Sequence, residues 1–285
     1  MPQKKKPGSS PTLRARELGQ RLRELRKNAG LPAEVVADRL CCSMAKVSYL
    51  ESGFRPATIR DIRDLSVLYG LGEEEREYLM TLARQAREKG WWDAYGQVPY
   101  AKYIGYEAEA KSLRSFEPLF IPGLLQTDAY AMAVIRSGEA ELTAEEIDQR
   151  AQVRSKRQEL LTRKSPIHLR TVIDEAVVRR LVGGRDVMRE QLQHLANAMS
   201  WKHVELQVIP FTSGAHAGMV GQFAILELAD SEMDDVGYVD TMAGDLYVEK
   251  TPEVERLSAV FEKLTASALP QAESLVLIER VIKEY

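Results

Sequence analysis

A short set of polar and apolar side chains between Ser43 and Tyr49 has the composition of a surface that contacts base edges. On a helix of 3.6 residues per turn, Val47 and Leu50 share one side and the other residues face outward. The outward set offers hydroxyl, ammonium, phenol and apolar groups, and it consists of Ser43, Met44, Ala45, Lys46, Ser48 and Tyr49. Together with Arg55, these side chains predict binding to the major groove of double-stranded DNA.

Two short helices joined by a turn would present this set. Pro32 suits the first position of one helix, and Ser43 is an N-cap for the next, which ends at Gly53. A preceding helix begins after Thr12 as its N-cap and ends near Gly30. A further helix is predicted over residues 59–68. This arrangement is typical of a helix-turn-helix fold.

Residues 13–70 resemble the lambda-repressor-like, xenobiotic-response-element (Xre) class of helix-turn-helix domains. The most specific part of the resemblance is Leu50-Glu51-Ser52-Gly53, followed by Arg55-Pro56. The resemblance implies a structural ion pair between Arg26 and Glu51. Where that class usually has Ser-Gln at the start of its second helix, this chain has Pro32-Ala33 and lacks the glutamine that touches DNA.

The charge of the chain is divided unevenly. Residues 1–70 hold 14 lysines and arginines against 7 acidic residues, whereas the remaining 215 residues hold 25 against 35. A basic module gains affinity for DNA mainly from phosphates, so the charge favours DNA binding at this end. Residues 1–12 read as a disordered basic arm, either a solubilising tail or a segment that follows phosphates. Residues 71–90 are predicted to form a linker helix between the domains.

The composition limits the remaining possibilities. A chain of 285 residues with 45% apolar content can bury a core in more than one domain. The sequence has no apolar run of eighteen residues and no secretory signal, so we expect no membrane contact and a cytoplasmic location. Its two cysteines, Cys41 and Cys42, are expected to be free thiols, either small partly buried residues or a redox sensor.

Residues 91–285 are predicted to form a larger α+β domain with a small mixed sheet, which makes the chain α+β overall behind an all-α helix-turn-helix domain. Residues 100–120 contain a helical stretch, and Thr143 with Glu146 predicts a capping box for a helix through residue 163. Alternating patterns predict strands at 168–173, 204–209, 223–228, 236–239 and 246–249. Helices are expected around residues 175–182, 187–199, 252–268 and 274–283.

The alternative function is an enzyme, with the DNA-binding module serving only to localise it. The four histidines, His168, His194, His203 and His216, lack metal-ligand spacing. The candidates are then His216, the Asp174-Glu175 pair, which also suits a helix cap, and a glycine loop at 213–221. An acidic cluster at 230–235 is expected to be a solvated loop. We therefore expect no catalytic residues, no metal and no cofactor.

The second half resembles the C-terminal domain of actinobacterial WhiJ-like regulators, in which it follows Xre-type modules. The matching stretches are Trp92-Asp93-Ala94-Tyr95, Tyr106-Glu107-Ala108-Glu109-Ala110, Ile121-Pro122-Gly123-Leu124-Leu125-Gln126-Thr127, Asp174-Glu175-Ala176-Val177 and Gly221-Gln222-Phe223. The resemblance implies a transcriptional regulator that works with a small protein encoded next door, in an antitoxin-like arrangement.

We expect a homodimer, because two recognition helices about 34 Å apart can read a palindrome. The second domain is then expected to sense a partner protein or a ligand. A pure antitoxin scaffold is a third possibility.

Overall fold

The structure is a computed structural model that describes residues 10–96, 98–138, 142–229 and 233–285. The chain divides into two compact units after Ala94. Residues 1–9 of the predicted basic arm lie outside the described residues, as do residues 230–232 of the predicted acidic loop. No helix within the described ranges is long and apolar enough to cross a membrane.

The first unit is helical throughout its described part. Its helices are α1 (Pro11–Asn28), α2 (Ala33–Arg39), α3 (Met44–Glu51), α4 (Ile59–Leu68) and α5 (Glu73–Gln85). Leucines of α1 share one core with Val36 and Ala37 of α2, with Val47 and Leu50 of α3, and with apolar residues of α4 and α5. The predicted helix-turn-helix arrangement is therefore present, with its apolar residues on the inner side.

Two predicted helix starts differ from the structure by one or two residues. The N-cap of α1 is Ser10, whose hydroxyl accepts a hydrogen bond from the Leu13 amide at 3.3 Å, so the prediction of Thr12 was wrong. Pro11 explains the shift, because its fixed φ and missing N–H suit the first helical position. Pro32 is the N-cap of α2 rather than its first residue.

Helix α5, which we predicted as a linker, packs inside the first unit instead. Its residues Leu79, Met80, Leu82 and Ala83 are buried in the core described above. The Tyr78 hydroxyl also donates a hydrogen bond to Glu17 of α1 at 2.7 Å. Helix α5 has a wide apolar face that must be buried, and it is buried against α1.

The second unit contains helices on both faces of one sheet. Its helices are α6 (Ala101–Glu109), α7 (Asp128–Gly138), α8 (Ala144–Thr162), α9 (Glu175–Arg179), α10 (Arg185–Ala198), α11 (Thr251–Ser267) and α12 (Gln271–Glu284). Its strands are β1 (Ala110–Glu117), β2 (His168–Asp174), β3 (Val204–Ile209), β4 (Phe223–Leu228), β5 (Val236–Thr241) and β6 (Gly244–Val248). The predicted α+β class is confirmed, and the predicted capping box of Thr143 and Glu146 opens α8.

The six strands form one mixed sheet in the order β3-β2-β1-β4-β5-β6. Strands β1, β2 and β3 run parallel, whereas β4, β5 and β6 pair in antiparallel fashion. On one face, Phe116 and Ile225 pack with Val254 and Phe261 of α11. On the opposite face, Ser115 of β1 and Thr171 of β2 share a hydrogen bond of 2.9 Å. This second face lines the cavity described below.

Strand β1 was missed by the sequence analysis, which extended a helix across it. The helix ends at Glu109, and residues 110–117 form a central strand between β2 and β4. Leu113 and Phe116 are three residues apart and both buried, which imitates a helical period. They lie on opposite faces of the sheet, and a central strand that is buried on both faces loses the alternation that identifies strands.

Candidate nucleic-acid interface

Helix α3 turns its polar side to solvent and its apolar side into the core. The Ser43 hydroxyl caps it by accepting a hydrogen bond from the Lys46 amide at 3.2 Å. Met44 and Tyr49 are 46% and 42% exposed, while Val47 and Leu50 are buried. The remaining predicted DNA-binding residues are also exposed, namely Ser43, Ala45, Lys46, Ser48 and Arg55. The structure thus places the whole predicted set at the surface.

The backbones of α1 and the end of α3 approach each other closely at two glycines. A Cβ on Gly19 would lie 2.7 Å from the Gly53 nitrogen and 2.8 Å from the Glu51 carbonyl oxygen. Gly53 has φ +64°, and a Cβ there would lie 2.7 Å from the Ala15 carbonyl oxygen. Sequence reasoning assigned Gly53 as a helix end but missed Gly19. The only sequence signal for the close approach at Gly19 was that it is a lone glycine inside a predicted helix.

Arg26 and Glu51 join α1 to α3 on the same side. Arg26 Nε donates to Glu51 Oε1 at 2.5 Å, and its Nη2 donates to Oε2 at 3.0 Å. Its Nη1 donates to the Leu31 carbonyl at 2.9 Å. The hydrogen bond that Arg26 donates to Glu51 raises the pKa of Arg26 above its ordinary value. The structure brings together the pair that the resemblance implied, and both side chains are largely buried.

Lys46 is not free to meet bases, although the sequence assigned it to that role. Its ammonium donates to Asp61 Oδ1 at 2.6 Å. Asp61 also accepts hydrogen bonds from the Thr58 amide and hydroxyl, which start α4. Burial alone would raise the pKa of Asp61, but the bonds from Lys46 and Thr58 outweigh it and lower that pKa. Lys46 therefore links α3 to α4 and must exchange Asp61 for DNA to bind it.

Tyr49 belongs to an exposed cluster that includes a residue missed by the sequence analysis. The ring of Phe54, which is 59% exposed, lies 5.0 Å from the Tyr49 ring between centroids. The Arg55 guanidinium lies 6.0 Å from the Tyr49 centroid on its face. Stacking of this kind orients the guanidinium while leaving its N–H donors available. An apolar residue beyond the end of a helix gave no signal of this role in the sequence.

The two cysteines occupy the turn before α3. Cys41 is exposed with φ +49°, whereas Cys42 is half-buried against the core. The expectation that both are partly buried was therefore wrong for Cys41.

The candidate catalytic residues of the second unit are engaged in structural contacts. Asp174 accepts a hydrogen bond from the Ala176 amide at 2.8 Å and caps α9. Glu175 accepts from the Phe211 amide at 2.8 Å and from Arg179 at 2.6 Å. His216 Nε2 lies 3.5 Å from Asp174, and its Nδ1 accepts from the Gly218 amide at 3.2 Å. The structure brings His216 and Asp174 together, and each also orders nearby backbone.

The other candidates of the second unit lie apart from His216. His194 and His203 both pack on the Trp201 ring, and His168 is exposed at the start of β2. In the glycine loop, Gly218 packs directly against the Phe116 ring, since a Cβ at this position would lie 2.2 Å from that ring. In the acidic loop, Asp235 lies 3.7 Å from Arg114.

The geometry of α2, the turn and α3 defines a helix-turn-helix protein. A helix-turn-helix family model matches residues 17–79. A second family model, described as a domain of unknown function (DUF5753), matches residues 100–280. The chain belongs to the DUF5753 family and carries a helix-turn-helix domain in front of that domain. Comparison with curated proteins and with solved structures gave no match.

We predict that Gly19→Ala disrupts the seating of α3. Its new Cβ would meet backbone atoms at 2.7 and 2.8 Å, which side chains cannot relieve, so we expect a loss of about 1–3 kcal/mol in stability. Gly72→Ala is the matched control, since nothing lies within 4 Å of its Cβ position. Thermal unfolding and hydrogen exchange of α3 peptides measure the effect. Equal exchange in the two variants would contradict the role of Gly19.

We also predict that Glu51→Ala loosens α1, α3 and the loop between α1 and α2 together. Removing one partner leaves Arg26 buried without its carboxylate, so we expect a loss of about 2–3 kcal/mol. Glu24→Ala is the control, because its ion pair with Arg21 is exposed and contributes at most about 0.5 kcal/mol. Urea unfolding monitored through the first unit compares the variants. A loss no larger than that of the control would show that the pair is dispensable.

Proposed function

We propose that the protein is a sequence-specific transcriptional regulator that inserts α3 into the major groove of double-stranded DNA. The observation that carries this proposal is the exposed side of α3 on a helix fixed from within by Gly19, Glu51 and a buried core. A recognition helix must be held rigidly, because base edges are read by hydrogen bonds of narrow geometry.

The distribution of charged residues also supports DNA binding by the first domain. Residues 1–70 have a net charge of +7 from 14 basic and 7 acidic residues. Arg55 lies beyond the end of α3 with its guanidinium on Tyr49. We assign phosphate contact to Arg55 and contact with bases or thymine methyls to Met44, Ala45, Ser48 and Tyr49.

We further propose that the DUF5753 domain receives a signal from a small partner protein or a ligand, as the resemblance to WhiJ-like regulators implies. An antitoxin-like pairing with a neighbour-encoded protein belongs to the same proposal. The stretch at residues 121–127, which carries part of the resemblance, is packed into the domain, since Ile121, Leu124 and Leu125 are buried. Gln126 Nε2 within it donates to the Ile121 carbonyl at 2.6 Å. Effector binding must differ between the DNA-bound and free states if it is to change DNA affinity.

We propose a homodimer, because one short recognition helix contacts too few base pairs for specificity and two can read a palindrome. Light scattering of the protein, free and with its operator, tests this proposal. A single copy in both conditions would contradict it.

We propose that the second domain is not an enzyme and that the chain works in the cytoplasm. Asp174 and Glu175 accept hydrogen bonds from backbone amides, which supports structural roles. A substrate turnover that His216→Ala abolishes while DNA binding persists would establish the enzyme instead.

The function is tested by binding of the full chain to the DNA upstream of its own gene and to random DNA of equal length. We predict preference for the upstream DNA and an affinity that falls steeply with salt, because phosphate contacts release counterions. Fluorescence anisotropy over a salt series measures both. Equal, weak binding to the two DNAs, with little salt dependence, would contradict the proposal.

Two substitutions separate base contact from phosphate contact on the preferred DNA. We expect Tyr49→Ala to cost about 1–3 kcal/mol on that DNA and little on random DNA. Arg55→Ala should weaken both and reduce the salt slope by about one. Arg256→Ala, an exposed arginine on α11, is the charge-matched control. If Tyr49→Ala weakens both DNAs equally, the assignment of base contact to Tyr49 is wrong.

A further inference from the structure

The second unit contains a polar cavity that the proposed function does not explain. It has a volume of about 110 Å³ and lies over the face of the sheet opposite α11. Ser115 and Glu117 of β1 line it from the sheet, and Tyr103 of α6 and Arg154 of α8 line it from the helices. Asp240 at the end of β5 is exposed, so the cavity reaches the surface there.

The stretch at residues 121–127, which carries part of the resemblance to WhiJ-like regulators, forms part of the cavity wall. Pro122, Gly123 and Leu124 line it directly. Gln126, fully buried behind them, accepts a hydrogen bond from Arg154 Nη1 at 2.8 Å, and its carbonyl accepts one from Gln158 at 2.5 Å. The turn is therefore bound to α8 and helps to fix the shape of the cavity.

Arg157 is part of the wall and is already neutralised. Its Nε and Nη2 donate to the two oxygens of Glu107 at 2.6 and 2.7 Å, and both side chains are buried. The guanidinium also lies 5.4 Å from the Tyr100 ring and 5.2 Å from the Tyr103 ring. This pair orients two aromatic rings at the cavity and has no spare charge for a ligand.

Other groups that line the cavity have unmet hydrogen-bonding capacity. Three buried atoms of the cavity lining have no hydrogen-bond partner among the residues that the structure describes: Tyr100 Oη, Arg154 Nε and Gln222 Oε1. Buried polar atoms are nearly always paired with protein groups or ordered water, so these three atoms mark a surface that can bind a polar molecule. Arg154 Nε can only donate a hydrogen bond, whereas Gln222 Oε1 can only accept one.

The carboxylates of the cavity are also without partners. Among the described residues, the side-chain carboxyl groups of Glu117 and Asp240 have no cation within 4 Å and no hydrogen bond. Once Glu107 and Arg157 cancel, these two acids face one remaining cation, Arg154. The side chains of Tyr100, Tyr103 and Tyr238 also line the cavity. When both acids are ionised, the lining therefore has a net charge of −1, which a guest with one positive charge would neutralise.

We propose that this cavity is the effector site of the DUF5753 domain and binds a small organic ammonium ion. The ammonium group contacts Glu117, Asp240 and the Gln222 carbonyl oxygen, and its organic part packs on the tyrosine rings. Tyr100 Oη and Arg154 Nε remain for an acceptor atom on the same molecule. This inference rests on the proposed role of the domain as a receiver of signals.

The protonation of Glu117 agrees with this site. Burial raises the pKa of Glu117 to about 8, with Arg157 and Arg154 opposing the rise and Asp240 adding to it. The carboxyl group is therefore mostly protonated at pH 7 in the empty site. A bound ammonium ion favours the carboxylate, so binding releases a proton to solvent and becomes tighter as the pH rises from 6 to 8.

The test uses three probes of one shape and different charge: benzylamine, benzyl alcohol and benzoate. A closed cavity of 150 Å³ admits benzene, and this cavity is open on one side, so the ring can enter. We expect the full chain to bind benzylamine with a Kd of about 1 mM in calorimetry and the other two at least about tenfold more weakly. Titrations in two buffers of different ionisation enthalpy should show proton release for benzylamine alone.

Glu117→Gln is the matching variant, and Glu279→Gln, an exposed residue of α12, is its control. We expect Glu117→Gln to weaken benzylamine binding at least about tenfold at pH 8 and to abolish proton release, because the amide keeps the shape without the charge. Glu279→Gln should change neither. If Glu117→Gln does not fold, the comparison of the three probes on the natural chain decides by itself.

Benzoate binding as tightly as benzylamine, or no benzylamine binding below about 10 mM, would overturn the inference. So would an unchanged benzylamine affinity in folded Glu117→Gln. These titrations contain no DNA, so their failure leaves the DNA-binding proposal standing. Conversely, if the chain binds benzylamine but shows no preference for its upstream DNA, the ligand site would be supported and the proposed regulator would be contradicted.

Discussion

The arrangement of the first domain depends on the contact between α1 and the end of α3 at Gly19 and Gly53. Hydrogen atoms at these positions let two backbones approach within distances that any Cβ would prevent. The Arg26–Glu51 ion pair closes the same junction from one side and also binds the carbonyl of Leu31. Since α3 is only eight residues long, its direction is set by these contacts rather than by its own helical propensity.

That constraint explains the character of the exposed side of α3. Lys46 is paired with Asp61 at the start of α4, and Arg55 is stacked on Tyr49 beside Phe54. Ordering these side chains before DNA arrives reduces the entropy lost on binding. It also limits readout, because Lys46 must leave a carboxylate before it can meet a base. Under the proposed function, affinity would come mainly from phosphates and from the apolar and aromatic groups of α3.

The sequence predicted the elements whose signals are local. Ser43 as a cap, Gly53 as a helix end and the Thr143–Glu146 capping box are each decided within four residues. The contacts that matter most are not local. Gly19 is tight only because Gly53 lies against it, and Phe54 joins the interface only through the Tyr49 ring. Strand β1 was missed because its burial on both faces removed the alternation of apolar and polar residues that identifies a strand. Without β1, the cavity over Ser115 and Glu117 could not be predicted.

The account that we propose is that α3 reads DNA and the DUF5753 domain receives a signal. The most direct measurement is hydrogen exchange of the full chain, with and without duplex DNA from the region upstream of its own gene. The account predicts slower exchange in peptides covering residues 43–55 when DNA is bound, and unchanged exchange in peptides of the central strands β1 and β2. DNA binding that leaves residues 43–55 unprotected, or that protects another surface instead, would contradict the account.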